Sequence, residues 1–392
     1  MKRAAVFLAK SGENCRFFAL FGARHAYIHS MAKECLQGIK NAAGVSATLV
    51  GTVVGAGFIS GAELVRFFPS EGFLPYVYVA AGLFALFFYL LFRVGRAFGG
   101  YEGALSALFG KFAPLFRAVL LAASLVMCGS MLAGITAAVR EGFGISEAFP
   151  FAALAALVLL HFLSYRGVKG IFAVNLALVP VILAFIGAYA FRAPYGGMPY
   201  GESDAFSSLC AVVLYVAMNA FLAAPVVCDA GAKGGGGAGC FISAALIGFC
   251  IAAVLANITA EGAGALSAEM PFLYVVGKNA ALGNLFSAVC LCGILTTLFS
   301  SYYPLHNCVN GKKRAPLWRA LLCLGAFALS VLGLKQIVRY AYPLVGAAGA
   351  VFLAVCAVRS RRSFFDEYFF RKRDDGVHPR REHAKDKGGG HH

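Results

Sequence analysis

Long uncharged apolar runs are the feature that most limits what this sequence can fold into. They recur along the chain, for example at 72–92, 118–139, 170–191, 205–228 and 238–260. Each run is long enough to cross a hydrocarbon core of about 30 Å, which takes about 20 residues as an α-helix. With 60% hydrophobic and 13% charged residues, the chain is far more apolar than a soluble domain, for which roughly 45–50% is usual. We therefore predict a membrane protein.

The apolar runs, together with weaker segments, predict ten membrane-spanning helices. Irregular backbone in lipid would leave polar groups unpaired, and the sequence lacks the alternating pattern of a membrane barrel, so the spans are expected to be helical. We place them at about 41–68, 72–92, 113–139, 148–165, 170–191, 205–228, 238–260, 280–305, 315–334 and 337–358. The predicted organisation is an all-α polytopic domain at 41–358, a basic N-terminal segment at 1–40 and a basic, disordered C-terminal tail at 359–392.

The distribution of positive charge predicts the orientation of the chain. If the N-terminus is cytoplasmic, most of the 34 Lys and Arg residues lie in cytoplasmic segments. The exceptions are Arg66, Arg140, Arg192, Lys278, Lys335 and Arg339. This asymmetry is typical of an inner or plasma membrane protein, here with both termini cytoplasmic. The net charge of +16 is then explained by basic tails beside anionic lipid, and no basic module interleaved with aromatic residues indicates a nucleic-acid partner.

Motifs for catalysis or tightly bound cofactors are missing from the sequence. It contains no G-x-S-x-G, no H-E-x-x-H and no Cys/His cluster with zinc-ligand spacing. The glycine-rich loop at 231–239, "GAKGGGGAG", lacks the P-loop pattern and is interpreted as a flexible connector. We expect neither an enzyme nor a cofactor.

Four glycines interrupt the first predicted span near its middle. Gly51, Gly55, Gly57 and Gly61 each lower helix stability by about 1 kcal/mol relative to alanine, so the cluster favours local unwinding. An alternative is tight helix packing, because the glycines also form two small-x-x-x-small contact patterns. A dinucleotide site is excluded, since the stretch is neither preceded by a strand nor completed as G-x-G-x-x-G.

The sixth span carries a second set of helix-disturbing residues. Asn219 lies near its centre and Pro225 removes one hydrogen bond from the helical ladder. Spans 1 and 6 are the first helices of two halves that contain five helices each. Because five is an odd number, the second half crosses the membrane in the opposite orientation. Interrupted segments at corresponding positions of inverted halves indicate the midplane binding site of a transporter. We predict that helices 1 and 6 are both discontinuous.

These segments resemble a known group of membrane proteins. "GTVVGAGFISGAELVRFF" is similar to the first helix of YkvI-type proteins, "LYVAMNAFLAAPV" to their sixth and "LTTLF" to their eighth. These proteins fall within the amino acid-polyamine-organocation (APC) superfamily, whose fold is that of LeuT, a 5+5 inverted repeat. Ala62 departs from the pattern, which has glutamine there. The resemblance covers roughly residues 41–358 and implies the LeuT fold.

A break in the first span would expose main-chain groups of both polarities. With the break at Gly55 to Phe58, the second half-helix would begin near Phe58 and offer N–H groups to an anion, while carbonyl groups near Val54 would face a cation. A zwitterion such as an amino acid, or a small carboxylate, would suit this site. The candidate substrate-binding residues are Gly55, Ala56, Gly57, Phe58, Ser60, Tyr215 and Asn219.

Each candidate side chain also has a structural alternative. Phe58 and Tyr215 can be packing residues, Asn219 can hydrogen-bond between helices, and Ser60 can cap the second half-helix. Glu63 is a candidate for a gate or for proton coupling, because an acid within a span is costly. Its alternative is an ion pair with Arg66, three residues further along the same helix face.

The resemblance also implies a sodium site. In the LeuT fold, sodium is commonly held by carbonyl groups of the first helix and by hydroxyl groups of the eighth. The matching positions are the carbonyl groups of Gly51, Val54 and Gly293 and the hydroxyl groups of Thr296 and Thr297. Hard oxygen ligands suit such a cation. The alternative is that both threonines bond to their own helix backbone.

We therefore expect a secondary transporter that moves a small organic solute by alternating access, coupled to Na⁺ or H⁺. The alternative is a membrane receptor subunit that binds an amino acid on the same scaffold without moving it, and the fold alone does not separate the two. The expected partners are the solute and the lipid bilayer, and the sequence predicts no oligomeric state.

Overall fold

The computed structural model describes Lys33 and residues 36–145, 150–164, 168–193 and 204–374. Within these ranges the protein consists of helices and their connections, without a β-strand, so the predicted all-α class is confirmed. The predicted N-terminal segment, residues 1–40, lies almost entirely outside the described residues. The predicted tail lies outside them beyond Asp374.

The helices follow the predicted spans in chain order. The first span comprises residues 36–53 (α1), Ala56–Ile59 (α2) and Ala62–Phe67 (α3). The next helices are Leu74–Phe98 (α4), Tyr101–Phe109 (α5), Ala113–Phe143 (α6), Phe151–Ser164 (α7) and Val168–Tyr189 (α8). The second half contains Ala205–Ala232 (α9), Ala238–Glu261 (α10), Ala263–Ser267 (α11), Pro271–Gly277 (α12), Ala280–Val309 (α13) and Ala315–Ser330 (α14). The last described elements are Leu334–Gln336 (α15), a π-helical turn at Ile337–Ala341 and Tyr342–Asp374 (α16).

Six helical stretches among the described residues are long and apolar enough to cross a membrane. They contain α4, α5 with α6, α9, α10, α13 and α15 with α16. The predicted spans 4, 5 and 9 contain shorter apolar helices, and the first span is divided. The protein is a membrane protein, and the count of ten spans stays a prediction.

The last helix is longer than the sequence indicated. It was expected to end at 358, with a disordered tail from 359 onward, whereas α16 continues to Asp374. Residues 359–374 contain no proline or glycine, so nothing in their sequence interrupts the helical hydrogen-bond ladder. Helix α16 therefore includes the first part of the predicted tail, and the division of the chain into three segments stays a prediction.

The middle of the structure is the helix α9, which packs between α4 and α16. Gly95 of α4 lies directly against the carbonyl group of Cys228, and Gly231 of α9 lies against the carbonyl group of Phe92. A Cβ atom added at either glycine would overlap the opposing backbone. The two glycines therefore set how closely α4 and α9 approach.

Asp204 determines where α9 begins. Its carboxylate accepts hydrogen bonds from the hydroxyl group of Ser207 at 2.7 Å and from the backbone N–H of Phe206 at 3.2 Å. These bonds cap the helix. The hydrogen bond from Ser207 and, to a smaller extent, the one from Phe206 hold the pKa of Asp204 below its usual value.

We expect Gly95→Ala and Gly231→Ala to lower the stability of the folded protein by about 1–3 kcal/mol each, the usual cost of overpacking. The measurement is the thermal unfolding midpoint of the purified protein in detergent. Gly82→Ala is the matched control, because a Cβ atom at Gly82 of α4 meets nothing within 4 Å. Equal stability of all three variants would contradict the close packing of α4 on α9.

Candidate functional site

The first span is interrupted twice in the structure. The helix α1 ends at residue 53, and Val54 and Gly55 are not helical. The N–H of Gly55 donates to the carbonyl oxygen of Val53 at 2.8 Å instead of continuing the α-helical ladder. After the four residues of α2, Ser60 and Gly61 form a second interruption. We call the side that contains α1 the α1 side of the break, and the side that contains α3 the α3 side.

The second interruption corrects one prediction. The segment after the break was expected to be one half-helix beginning near Phe58, but it consists of two short pieces, α2 and α3. Gly61 has a left-handed φ of 83° and lies against Ile258 and Phe272. Because peptide dipoles add up only along a continuous helix, the predicted anion-binding helix terminus is not formed.

The sixth span is not interrupted. Helix α9 runs without a gap from Ala205 to Ala232 and contains Pro225, so the predicted discontinuity of helix 6 was wrong. Proline removes one hydrogen bond from the ladder, and the packing of a long helix between two neighbours compensates for that loss. Asn219 donates from Nδ2 to the carbonyl oxygen of Tyr215 at 3.0 Å, which places this bond within its own helix.

Aromatic rings close the α3 side of the break. Tyr215 is completely buried, with its ring centroid 5.5 Å from that of Phe67, 5.6 Å from that of Phe68 and 6.2 Å from that of Phe84. Its hydroxyl group has no hydrogen-bond partner among the described residues. Phe58 of α2 is also fully buried. In this conformation both predicted substrate-binding rings are packing residues.

The helix α13 meets the first span at the break. A Cβ atom at Gly55 would lie 2.9 Å from Cγ2 of Thr297, and Gly293 lies against the side chain of Ile59. The hydroxyl groups of Thr296 and Thr297 both donate to the carbonyl oxygen of Gly293, at 2.8 and 3.1 Å. The structure thus brings Gly55, Gly293 and Thr297 together, with both threonines bonded to their own helix as the structural alternative predicted.

The other predicted ligand and binding positions lie in the same region. Gly51 is buried in the last turn of α1, Val54 is buried just after it, and Ala56 begins α2. Ser60 donates from Oγ to the carbonyl oxygen of Gly57 at 3.2 Å and accepts from the N–H of Ala62 at 3.3 Å. The N-cap residue of α3 is Gly61 and has no side-chain cap bond, so both bonds of Ser60 are contacts within the turn between α2 and α3.

A cavity of about 340 Å³ opens on the α1 side of the break. It lies between α1, α6, α9 and α13 and extends to Thr297. Much of its polar lining consists of hydroxyl groups, and Asp229 and Lys233 also line it. The hydroxyl-bearing residues include Thr48, Thr52, Ser124, Thr297, Ser300 and Ser301. The cavity therefore ends at the point where the first span is broken, and Phe58, Tyr215 and Asn219 do not line it.

Glu63 lies on the α3 side of the break and is 2% exposed. Side chains of a helix lean toward its N-terminus, and that of Glu63 reaches back over Ser60 so that its carboxyl group lies against Gly57. The hydroxyl group of Tyr342 is close enough to interact with this carboxyl group. Its Oε2 atom has no partner among the described residues.

The ion pair that the spacing of Glu63 and Arg66 favoured is not formed. Arg66 is exposed, and its guanidinium group lies 5.9 Å from the centroid of the Phe67 ring, while Glu63 points into the protein. The second break at Gly61 begins a new helix at Ala62, and Glu63 in its first turn reaches toward the break rather than toward Arg66.

Two groups of residues at this site were not predicted from the sequence. Tyr342 follows the π-helical turn at Ile337–Ala341, and its hydroxyl group lies 2.6 Å from Oγ of Ser130. Pro343 could have indicated an irregular turn, since it lacks the N–H that would continue the ladder. The second group is α12, where the N–H of Phe272 donates to the carbonyl oxygen of Ser60 at 2.7 Å. No sequence signal indicated this contact.

The arrangement of the helices and the broken first span give this membrane protein the LeuT fold. Over most of its length the chain resembles MhsT solved with L-phenylalanine, with a TM-score of 0.59, 15% identity and coverage of 79% of this chain and 88% of MhsT. It resembles the manganese transporter of Eremococcus coleocola with a TM-score of 0.56 and 14% identity. The match covers 80% of this chain and 76% of that transporter. The inward-facing conformation of Mhp1 gives a TM-score of 0.54 at 15% identity. The match covers 80% of this chain and 74% of Mhp1.

The chain is also similar to the uncharacterised membrane protein YkvI of Bacillus subtilis (strain 168). The two are 25% identical over 332 residues, which cover 80% of this chain and 95% of YkvI. No protein-family model matches the chain. The resemblance to YkvI-type membrane proteins, predicted from the first span, is confirmed. The prediction that the protein is not an enzyme agrees with these relatives.

We expect Gly57→Ala to destabilise the protein because the new methyl group would overlap the carboxyl group of Glu63. Truncation in Glu63→Ala should relieve that overlap, so the double variant should be more stable than the sum of the single effects predicts. The expected coupling is about 0.5–3 kcal/mol, measured as a double-mutant cycle on the free energy of unfolding.

Gly55→Ala combined with Glu63→Ala is the control for this cycle, since Gly55 lies against Thr297. Its effects should add. Additive effects in both cycles would show that the carboxyl group of Glu63 does not lie against Gly57.

Proposed function

We propose that this protein is a secondary active transporter of a small organic solute and works by alternating access. The observation that carries the proposal is the asymmetry of the break in the first span. A cavity leads to it from the α1 side, whereas buried aromatic rings around Tyr215 close the α3 side. A site open to one side and closed to the other is one of the two states that alternating access requires.

The cavity supports a solute the size of an amino acid or a related zwitterion or carboxylate. Its volume of about 340 Å³ is at the lower end of the roughly 300–1,000 Å³ usual for small-molecule sites. Hydroxyl groups, Asp229 and Lys233 offer partners to both ends of a zwitterion. A metal cargo has less support, because no group of three His, Cys, Asp or Glu side chains suited to a metal occurs in the described part of the chain.

In the opposite state, closure of the α1 side would accompany separation of the rings on the α3 side. The solute would then contact the main chain at Gly55, Ala56, Gly57 and Ser60, together with Phe58, Tyr215 and Asn219. The burial of both aromatic rings in the present conformation fits a site that is assembled only after this movement. We assign the α1 side to the cytoplasm on the basis of the positive charge of its loops.

We further propose that Na⁺ drives the transport. The carbonyl groups of Gly51, Val54 and Gly293 and the hydroxyl groups of Thr296 and Thr297 form the proposed ligand set. The contact of Thr297 with Gly55 supports this arrangement, because it brings α13 to the interrupted backbone. A hydroxyl group that donates to Gly293 keeps its oxygen lone pairs for a cation.

Uptake into liposomes tests the transport proposal. The purified protein is reconstituted and supplied with radiolabelled amino acids and small carboxylates, with and without an inward Na⁺ gradient. We expect accumulation of at least one compound, faster with the gradient. Saturable binding of a compound without uptake would overturn the proposal and would favour the receptor on the same scaffold.

Substitution of Thr297 tests the sodium site. We expect Thr297→Ala to raise the half-saturating Na⁺ concentration for uptake by about tenfold, as for the loss of about 1.4 kcal/mol of binding free energy. Thr297→Ser keeps the oxygen atom and should stay close to the wild type.

Thr259→Ala is the matched control, because the hydroxyl group of Thr259 also bonds to its own helix, at Leu255, but lies in α10. An unchanged Na⁺ dependence in Thr297→Ala would remove Thr297 from the proposed ligand set.

A further inference from the structure

The carboxyl group of Glu63 is only half satisfied in the interior of the protein. The carboxyl group is close enough to the hydroxyl group of Tyr342 to interact with it, and Oε2 has no hydrogen-bond partner among the described residues. The hydroxyl group of Tyr342 lies 2.6 Å from Oγ of Ser130, and either hydroxyl group can donate in that bond. Ser130, Tyr342 and Glu63 thus form one buried polar cluster.

The titratable neighbours of Glu63 are phenols. Tyr342 belongs to α16, and Tyr215 of α9 is close enough to interact electrostatically with Glu63. The hydroxyl group of Tyr215 is itself buried and without a partner in the described ranges. On the same helix, Arg66 points outward and is exposed.

Two further helices packed on α3 present apolar side chains at Gly61, namely Ile258 of α10 and Phe272 near the start of α12. The π-helical turn Ile337–Ala341 also packs on α3, and its Arg339 is exposed, with the guanidinium group 5.4 Å from the centroid of the Tyr340 ring. The charged residue at the end of α10, Glu261, is paired with Lys278. Among the described residues, Glu63 therefore has no ion-pair partner.

An ionised carboxylate in this position would be strongly destabilised. Removing an unpaired charge from water is costly, and one hydrogen bond to the charged group returns only part of that cost. A proton on the carboxyl group removes this cost and adds almost no volume. A larger cation would need space, but the side chain lies directly against Gly57 and the cavity that reaches Thr297 is not lined by Glu63.

We propose that Glu63 is a proton-binding site that couples a proton to the conformational cycle, with Tyr342 and Ser130 as positioning residues. The proposal rests on the proposed transport function. The carboxylate takes up H⁺ from water when the α3 side is open, and the neutral group then packs against Gly57 as that side closes. Ionisation returns H⁺ to water, and no other bond changes.

The break provides the route between this site and the cavity. Gly57 contacts the carboxyl group of Glu63, and Gly55, two residues earlier, contacts Thr297 at the end of the cavity. Only the start of α2 separates the two. A movement of α2 would therefore admit cavity water to Glu63 and let the proton leave on the α1 side.

Infrared difference spectroscopy of the whole protein in lipid tests the site without a solute. We expect the wild type to show the C=O stretching band of a protonated buried carboxyl group, which disappears reversibly as the pH is raised. Glu63→Gln should lack this band. Glu71→Gln, at an exposed position, should keep it.

The positioning residues are tested by the pH midpoint of the same band. Tyr342→Phe should shift the midpoint, whereas Tyr340→Phe, at a residue that is 63% exposed, should leave it unchanged. A band that persists in Glu63→Gln, or its absence in the wild type, would overturn the assignment to Glu63.

Transport measurements separate proton coupling from transport itself. Proteoliposomes receive a radiolabelled mixture of the twenty standard amino acids, equal Na⁺ on both sides and an imposed pH gradient. In the wild type we expect the gradient to drive accumulation and a pH dye to report proton entry. Glu63→Gln should lose both but keep exchange of labelled for unlabelled amino acids.

The outcomes distinguish the two proposals. Uptake by the wild type that is independent of the pH gradient, and equal in Glu63→Gln, would overturn proton coupling and leave the transport function standing. If the wild type moves no label under any gradient, both the transport of amino acids and its coupling to Glu63 are overturned, even where the infrared band is present.

Discussion

Lipid offers no hydrogen-bond partner to an interrupted main chain, and the rest of this structure depends on how that constraint is met at Gly55 and Gly61. Irregular backbone at membrane depth is tolerated only where protein or a water-filled cavity covers it. Here Thr297 of α13 lies against Gly55 at the first interruption, and Gly293 of the same helix lies against Ile59. At the second interruption, the N–H of Phe272 donates to the carbonyl oxygen of Ser60. The broken span is thus stable because α12 and α13 are packed against it.

The same break separates the two cation sites that we propose. On the α1 side, a cavity lined by hydroxyl groups ends at Thr297, where we propose that oxygen ligands hold Na⁺. On the α3 side, the carboxyl group of Glu63 is buried against Gly57, where we propose that it binds a proton. One short segment, α2, contacts both environments, so its movement would change both at once.

Much of the fold could be predicted from local sequence, but the details of the site could not. The lengths of the apolar runs predicted the helices in order, and the glycines from Gly51 to Gly61 marked the irregular part of the first span. The discontinuity assigned to Pro225 was wrong, because one missing hydrogen bond does not interrupt a helix held by α4 and α16. The ion pair of Glu63 with Arg66 failed for a related reason, since the second break directed Glu63 inward.

The sequence by itself determined that this protein is a helical membrane protein with a weakened first span, because apolar length and glycine content are local properties that lipid and backbone entropy act on directly. Tertiary structure decided which weakened segment breaks and what faces the break. Tyr342 and Ser130 lie 212 residues apart, and no local pattern could place them beside Glu63. Their meeting depends on the packing of α6 and α16 around the broken span, which only the folded chain defines.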